Sequence, residues 1–218
     1  MRALFGILWT LMAAWSKLAR HWLFAGCAVS DEDAMGIVYF AYGSNMLPAR
    51  LKVRCESARV IGVATAPDHG LEFSKRGYMD HSGKASLISA GYRGVHTPGV
   101  LYEITNEDLV KLDRAEGVGH GYNRHDGFPV VIGATGETVK ASTYIATLSD
   151  DRLRPFDWYL ALVIAGALHH ALDAAHAEWL QTVTYVIDTD HTRKGRNEAL
   201  AALREHGIAD HAKLLTGR

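Results

Sequence analysis

An α+β fold with a mixed sheet or barrel is predicted from three observations. Short β-branched and aromatic runs begin at Ile37 and are separated by glycine-rich turns. They do not alternate regularly with helical segments, so a doubly wound parallel sheet is not expected. One long apolar stretch, Phe156 to Leu172, has the length of a helix and little polar punctuation.

The elements follow in order. Ile37-Val38-Tyr39-Phe40-Ala41 reads as a buried first strand, ended by the turn-forming cluster Tyr42-Gly43-Ser44-Asn45. Pro48 to Arg54 reads as a short helix with proline in its first turn, and Ala58 to Ala66 as a second strand stopped by Pro67. Shorter strands are expected at Leu71–Ser74, Ala85–Ala90 and Pro98–Ile104. Thr105-Asn106-Glu107-Asp108 has the form of a capping box; Leu109, Leu112 and Ala115 share the face of the helix it opens, and Gly117 supplies the stop. Glu116 is thereby placed at a helix C-terminus. Val130–Ile132 and Thr138–Ile145 read as a hairpin, and a further helical piece surrounds His176–Thr184. Residues 186–218 mix acidic and basic side chains around a helical run from Asn197 to His206 and read as a solvated C-terminal tail.

Residues 1–36 are set apart as an apolar extension containing Trp9, Trp15 and Trp22. The charge-free run from Ala3 to Ser16 is shorter than the ~20 residues a spanning helix needs. Phe24-Ala25-Gly26-Cys27 resembles a lipoprotein cleavage box but lacks a proper apolar region before it. An amphipathic membrane-surface helix over residues 3–24 is one reading; the favoured one is upstream sequence preceding a start at Met35.

The chain has 218 residues, 48% hydrophobic and 22% charged, with 23 Lys+Arg against 24 Asp+Glu and a net charge of −1. No basic surplus indicates nucleic acid, so partners have to be sought in sites. Cys27 and Cys55 cannot build a disulfide framework or a four-thiolate metal site, and such sparse usage fits a reducing cytoplasm. Of the 12 histidines, His169, His170 and His176 lack metal-ligand spacing, and His120 and His125 read as loop histidines without a nucleophile to serve.

Two places can carry chemistry. A strand leading into Tyr42-Gly43-Ser44-Asn45-Met46 and then a helix directs unpaired backbone N–H groups at one point, and the glycine permits close approach of a carboxylate. Glu116 lies where the negative end of a helix disfavours an ionised carboxylate, which raises its expected affinity for a proton.

Three ordered motifs, Tyr39-Phe40-Ala41-Tyr42-Gly43-Ser44-Asn45-Met46, then Leu112-Asp113-x-x-Glu116-Gly117-Val118, then Pro155-x-x-x-Tyr159-Leu160-x-Leu162-Val163-Ile164-x-Gly166-Ala167, resemble the γ-glutamylcyclotransferase family. The resemblance spans about residues 37–185. It implies a small mixed β-barrel flanked by helices, of the γ-glutamylcyclotransferase-like or AIG2-like type. The implied activity releases 5-oxoproline from a small-molecule γ-glutamyl amino acid or amine without a cofactor or metal.

On the same resemblance, Tyr42, Gly43, Ser44, Asn45 and Met46 form the substrate loop, Glu116 is the general acid/base, and Tyr159 lines the pocket. The family's second aromatic hydroxyl falls on Tyr122, or one position later, where Asn123 stands. Gly-Ser-Asn, where glutathione-specific cyclotransferases resemble Gly-Ser-Leu, favours a free γ-glutamyl dipeptide or amine over intact glutathione. A tailoring enzyme that removes a γ-glutamyl protecting group and a non-catalytic module binding a small carboxylate or a protein are the alternatives. The oligomeric state is left open.

Overall fold

A computed structural model describes residues 36–91 and 94–216. The expectations for residues 1–35, including membrane contact and a start at Met35, lie outside the described residues. Five strands close a barrel in the order β1 (Ile37–Ala41), β5 (His96–Ile104), β2 (Arg59–Pro67), β6 (Tyr122–Ile132) and β7 (Thr138–Ala146). Neighbours run antiparallel except β1 and β7, which meet in parallel at Tyr39 and Ser142, so the barrel is mixed, as the sequence predicts. Closure rests on short seams, one pair between β1 and β7 and two between β2 and β6. A separate antiparallel ribbon consists of β3 (His69–Arg76) and β4 (Gly83–Ser89).

The first strand buries Tyr39, Phe40 and Ala41 and pairs with β5 in unbroken register from Ile37–Ile104 to Ala41–Val100. Gly99 permits that pairing: a Cβ there would lie 2.4 Å from the Ala41 carbonyl oxygen and 2.7 Å from the Phe40 ring. The chain then makes a single 3-10 turn at Ser44–Met46 and enters the short helix α1 (Pro48–Lys52). Helix α2 (Asn106–Glu116) begins where the Thr105 hydroxyl accepts from the Asp108 amide, and it stops at Gly117, whose φ of 67° is left-handed. Both ends agree with the sequence reading.

Helix α3 (Asp157–His169) is buried on all sides over Trp158–Ala167, which is why its sequence carries no polar stripe. Leu160, Leu162 and Ile164 are fully buried, each worth about 2 kcal/mol of transfer free energy. The loop 43–47 crosses this helix at Gly166, where a Cβ would lie 2.8 Å from the Leu47 nitrogen and 2.7 Å from the Met46 Cβ. From the other side, the Met46 carbonyl accepts from the Tyr102 hydroxyl at 2.7 Å and is approached by His170 Nε2 at 3.0 Å. The loop that precedes α1 therefore rests on α3 and is fixed by it.

Two expectations are corrected. Strand β6 starts at Tyr122, eight residues before the predicted hairpin, so His125 pairs with Thr143 in a strand and is not a loop residue. Within the expected solvated tail 186–218, the described residues 186–216 do not form a solvated tail. Their helix α5 (Lys194–Glu205) buries Ala199, Ala202 and Leu203 in the common core. Upstream of it, Asp188 is buried and accepts from Trp158 Nε1 at 2.9 Å and from Arg193 Nε at 2.7 Å. Helix α4 (Ala174–Thr182) is the helical piece predicted around His176–Thr184, and it packs beside α3.

Candidate active site

The end of β1, the C-terminus of α2, the start of β4, the start of β6 and the first turn of α3 converge on one cavity. It is lined by Tyr39, Tyr42, Gly43, Ser44, Asn45, Ala85, Glu116, Tyr122, Tyr144 and Tyr159. Seven of the expected residues thus meet around one space. The eighth, Met46, is wholly buried beneath the loop against α3, and its side chain does not reach the cavity. Between the two alternatives at the start of β6, Tyr122 is buried on the cavity wall while Asn123 is exposed.

Glu116 closes α2 with its side chain 15% exposed. Its Oε1 accepts from Arg54 Nη1 at 2.7 Å and from Asn45 Nδ2 at 2.9 Å. Arg54 also donates to Asn45 Oδ1 at 3.0 Å, and Asn45 Nδ2 reaches the Tyr39 hydroxyl at 2.9 Å. The sequence reading weighed only the helix end; the structure adds a guanidinium and an amide that hold the carboxylate in place.

With Asn45's side chain engaged in this clamp, what the loop offers the cavity is backbone. Among the described residues, the amides of Ser44 and Asn45 have no protein acceptor. Gly43 keeps that backbone reachable, since a Cβ there would stand 3.0 Å from Ala85 Cβ and 3.4 Å from the Tyr159 hydroxyl.

The tyrosines form an ordered wall. Tyr122 donates to the Ala85 carbonyl at 2.6 Å, Tyr159 accepts from the Ala85 amide at 3.1 Å, and Tyr42 donates to the Tyr144 carbonyl. Burial is the main cause that pushes the phenols of Tyr39, Tyr42 and Tyr122 well up and Tyr159 to about 12. They stay neutral and serve as hydrogen-bonding groups, not as bases.

The cavity itself is small, about 30 Å³, and it shares Ser44, Glu116, Tyr122 and Tyr159 with an outer cleft of about 510 Å³. Glu116 stands on the boundary between the two. His120 lines the outer cleft and His125 does not.

Residues 96–180 match the model of the AIG2-like family. A solved structure of a gamma-glutamyl cyclotransferase superposes with a TM-score of 0.68 at 25% identity, covering 76% of this chain and 98% of that one. The fold is that of the solved gamma-glutamyl cyclotransferase. Among relatives, the gamma-glutamylcyclotransferase of Homo sapiens is 28% identical over 184 residues, 80% of this chain and 92% of that protein. That of Bos taurus is 26% identical over 166 residues, 72% and 85% respectively.

Sequence reasoning passed over Arg54, Tyr144 and Ala85 as site residues. Arg54 had no local signal, because its carboxylate partner lies 62 positions further along the chain. Tyr144 sits in a strand whose apolar pattern conceals a cavity-facing ring, and Ala85 contributes only backbone groups.

Proposed function

We propose that this protein is a γ-glutamylcyclotransferase, releasing 5-oxoproline from γ-glutamyl amino acids or amines. The observation that carries the reading is the position of Glu116, which faces the Gly43–Asn45 backbone across the inner cavity and borders the outer cleft. The human and bovine relatives bearing that activity's name support it over most of their lengths.

In the reaction, the substrate's α-amine attacks its own γ-carbonyl carbon. A C–N bond forms, the original amide C–N bond breaks, and no cofactor is required. The amine enters as an ammonium and ends as a lactam N–H, so two protons leave it: one goes to solvent to free the lone pair, and the other is shed as the new C–N bond forms. Glu116 takes this second proton and returns it to the departing nitrogen, the kind of positioned transfer worth about 10²–10⁴-fold. Arg54 and Asn45 hold the carboxylate in place for both steps. The Ser44 and Asn45 amides supply hydrogen bonds to the glutamyl moiety and to charge developing on the carbonyl oxygen. Tyr42, Tyr122 and Tyr159 wall the cavity so that the flexible glutamyl chain is held folded for ring closure, an orientational gain of several kcal/mol in order of magnitude.

On this reading residues 37–185 carry the site and 186–216 brace it. The enzyme works in cytoplasmic γ-glutamyl and glutathione metabolism as an acyltransferase or lyase. Among the described residues no helix is long and apolar enough to cross a membrane. Incubation with γ-glutamyl-alanine and chromatographic assay for 5-oxoproline tests the proposal; absence of product from this compound and from a panel of γ-glutamyl amines would return the protein to the class of carboxylate-binding modules.

A further inference from the structure

The outer cleft holds an unusual cation. Lys75 on β3 is only 7% exposed, lines the cleft, and has no carboxylate or hydrogen-bond partner among the described residues. The other buried cations of the cleft are each paired: Arg54 with Glu116 at 2.7 Å, Lys84 with Asp80 at 2.6 Å, and Arg50 with Glu198 at 3.3 Å. Lys75 also stands directly opposite Lys84 in the β3–β4 register, and a like-charge pair across strands is destabilising. The fold nevertheless makes room for it. Gly121, with φ 143°, lets the side chain pass where a Cβ would lie 2.8 Å from Lys75 Cε. The ammonium rests 4.7 Å from the centre of the Tyr122 ring, the wall that separates cleft from inner cavity.

Lys75 is thus a desolvated ammonium on which the Glu116 and Asp80 carboxylates act only from beyond ion-pair distance, accommodated by a glycine and left with room for an anion in direct contact. Resting on the cyclotransferase reading, which puts the glutamyl group in the inner cavity, we infer that Lys75 is the specificity-determining residue of the outer cleft and binds the carboxylate of the departing amino acid. The enzyme is then selective for γ-glutamyl-α-amino acids over γ-glutamyl amines that carry no negative charge beyond the amide nitrogen. Tyr122 lies between Lys75 and the inner cavity, so Lys75 is placed to act on the leaving group and not on the glutamyl carboxylate.

Kinetics of 5-oxoproline release from γ-glutamyl-alanine and from γ-glutamyl-alaninamide, whose leaving group is uncharged, tests this on the full chain. The intact protein should favour the carboxylate substrate by about tenfold or more in kcat/KM, the usual scale for a hydrogen bond to a charged group. Lys75→Met should bring that ratio close to one, and Lys75→Arg should restore most of it. A ratio near one in the intact chain, or a Lys75→Met that lowers both substrates while keeping their ratio, overturns the assignment. Titration calorimetry with both compounds on Glu116→Gln separates this from the reading beneath it. Tighter binding of the carboxylate compound, in a protein whose unmutated form releases no 5-oxoproline, retains the subsite and removes the cyclotransferase. Equal binding removes the subsite whatever the activity.

Discussion

Arg54 Nη1 lies 2.7 Å from Glu116 Oε1, joining the segment that follows α1 to the last residue of α2, and Asn45 bonds to both side chains. The site carboxylate is therefore held by two separate elements besides its own helix. Glu116→Gln keeps the shape and removes the proposed proton carrier, and it is expected to lower kcat by about 10²–10⁴-fold with the fold intact. Arg54→Met leaves the carboxylate present but loosely placed; a fall of about tenfold or more is expected, since small displacements of a catalytic group are costly. Steady-state 5-oxoproline release, with circular dichroism as the control for folding, measures both.

Gly43→Ala introduces a methyl group 3.0 Å from Ala85 Cβ and 3.4 Å from the Tyr159 hydroxyl. The glycine's φ of −118° is open to alanine, so the effect is on space and not on the backbone. The expected result is a loss of about tenfold or more in kcat/KM with a melting temperature near that of the parent. A parental kcat/KM would show that the loop does not shape the substrate's seat.

Gly166→Ala acts in the reverse manner. Its Cβ would meet backbone, the Leu47 nitrogen at 2.8 Å, as well as Met46 Cβ at 2.7 Å. Overpacking of this kind costs about 1–3 kcal/mol. At this chain length that is a drop of roughly 2–4 °C per kcal/mol, readable by thermal denaturation. The loop above must shift too, so activity should fall along with stability.

Asp188→Ala tests the C-terminal bracing. It strands the Trp158 indole N–H and the Arg193 guanidinium, both hydrogen-bonded to this buried carboxylate. Removing one member of a buried charged pair costs about 3–5 kcal/mol, somewhat less here because Arg193 retains partial exposure. Chemical denaturation should show a clear loss; an unchanged midpoint would mean that residues 186–218 merely rest on the surface.

His176 gives a pH signature. Burial pulls its imidazole down to about 4, opposed by Asp173 and reinforced by His96, and its Nε2 lacks a partner among the described residues. In the unfolded chain the ring titrates near ~6.5. Between these values the unfolded state binds the extra proton, so stability is full above about pH 6.5 and is lost as pH falls toward 4. Melting curves at pH 7 and pH 5 should differ less for His176→Leu than for the parent, by about 1 kcal/mol after allowance for the ring's partial exposure.

Much of this was legible in the chain itself. Apolar runs between glycine turns marked the barrel strands, and a capping threonine with Gly117 fixed both ends of α2 and hence the place of Glu116. What was hidden follows from physics that acts across distance or against local pattern. Asn123, Arg124 and Asp126 are polar because the first half of β6 faces outward, and the register slips between His125 and Phe128, so no alternation announced a strand. Helix α5 buries mainly alanines amid charge, a weak apolar signal that reads as solvated. Arg54 and Lys75 matter through what stands opposite them in space, which spacing along the chain does not encode.

Trp158, anchored by Asp188, is the immediate neighbour of Tyr159 on the cavity wall. The wall is thus completed by residues translated some thirty positions after it. On the ribosome, a nascent chain that has already emitted every residue of the cavity would still lack the Asp188 brace beside Tyr159, and a product terminated between the two would be expected to be inert as well as unstable.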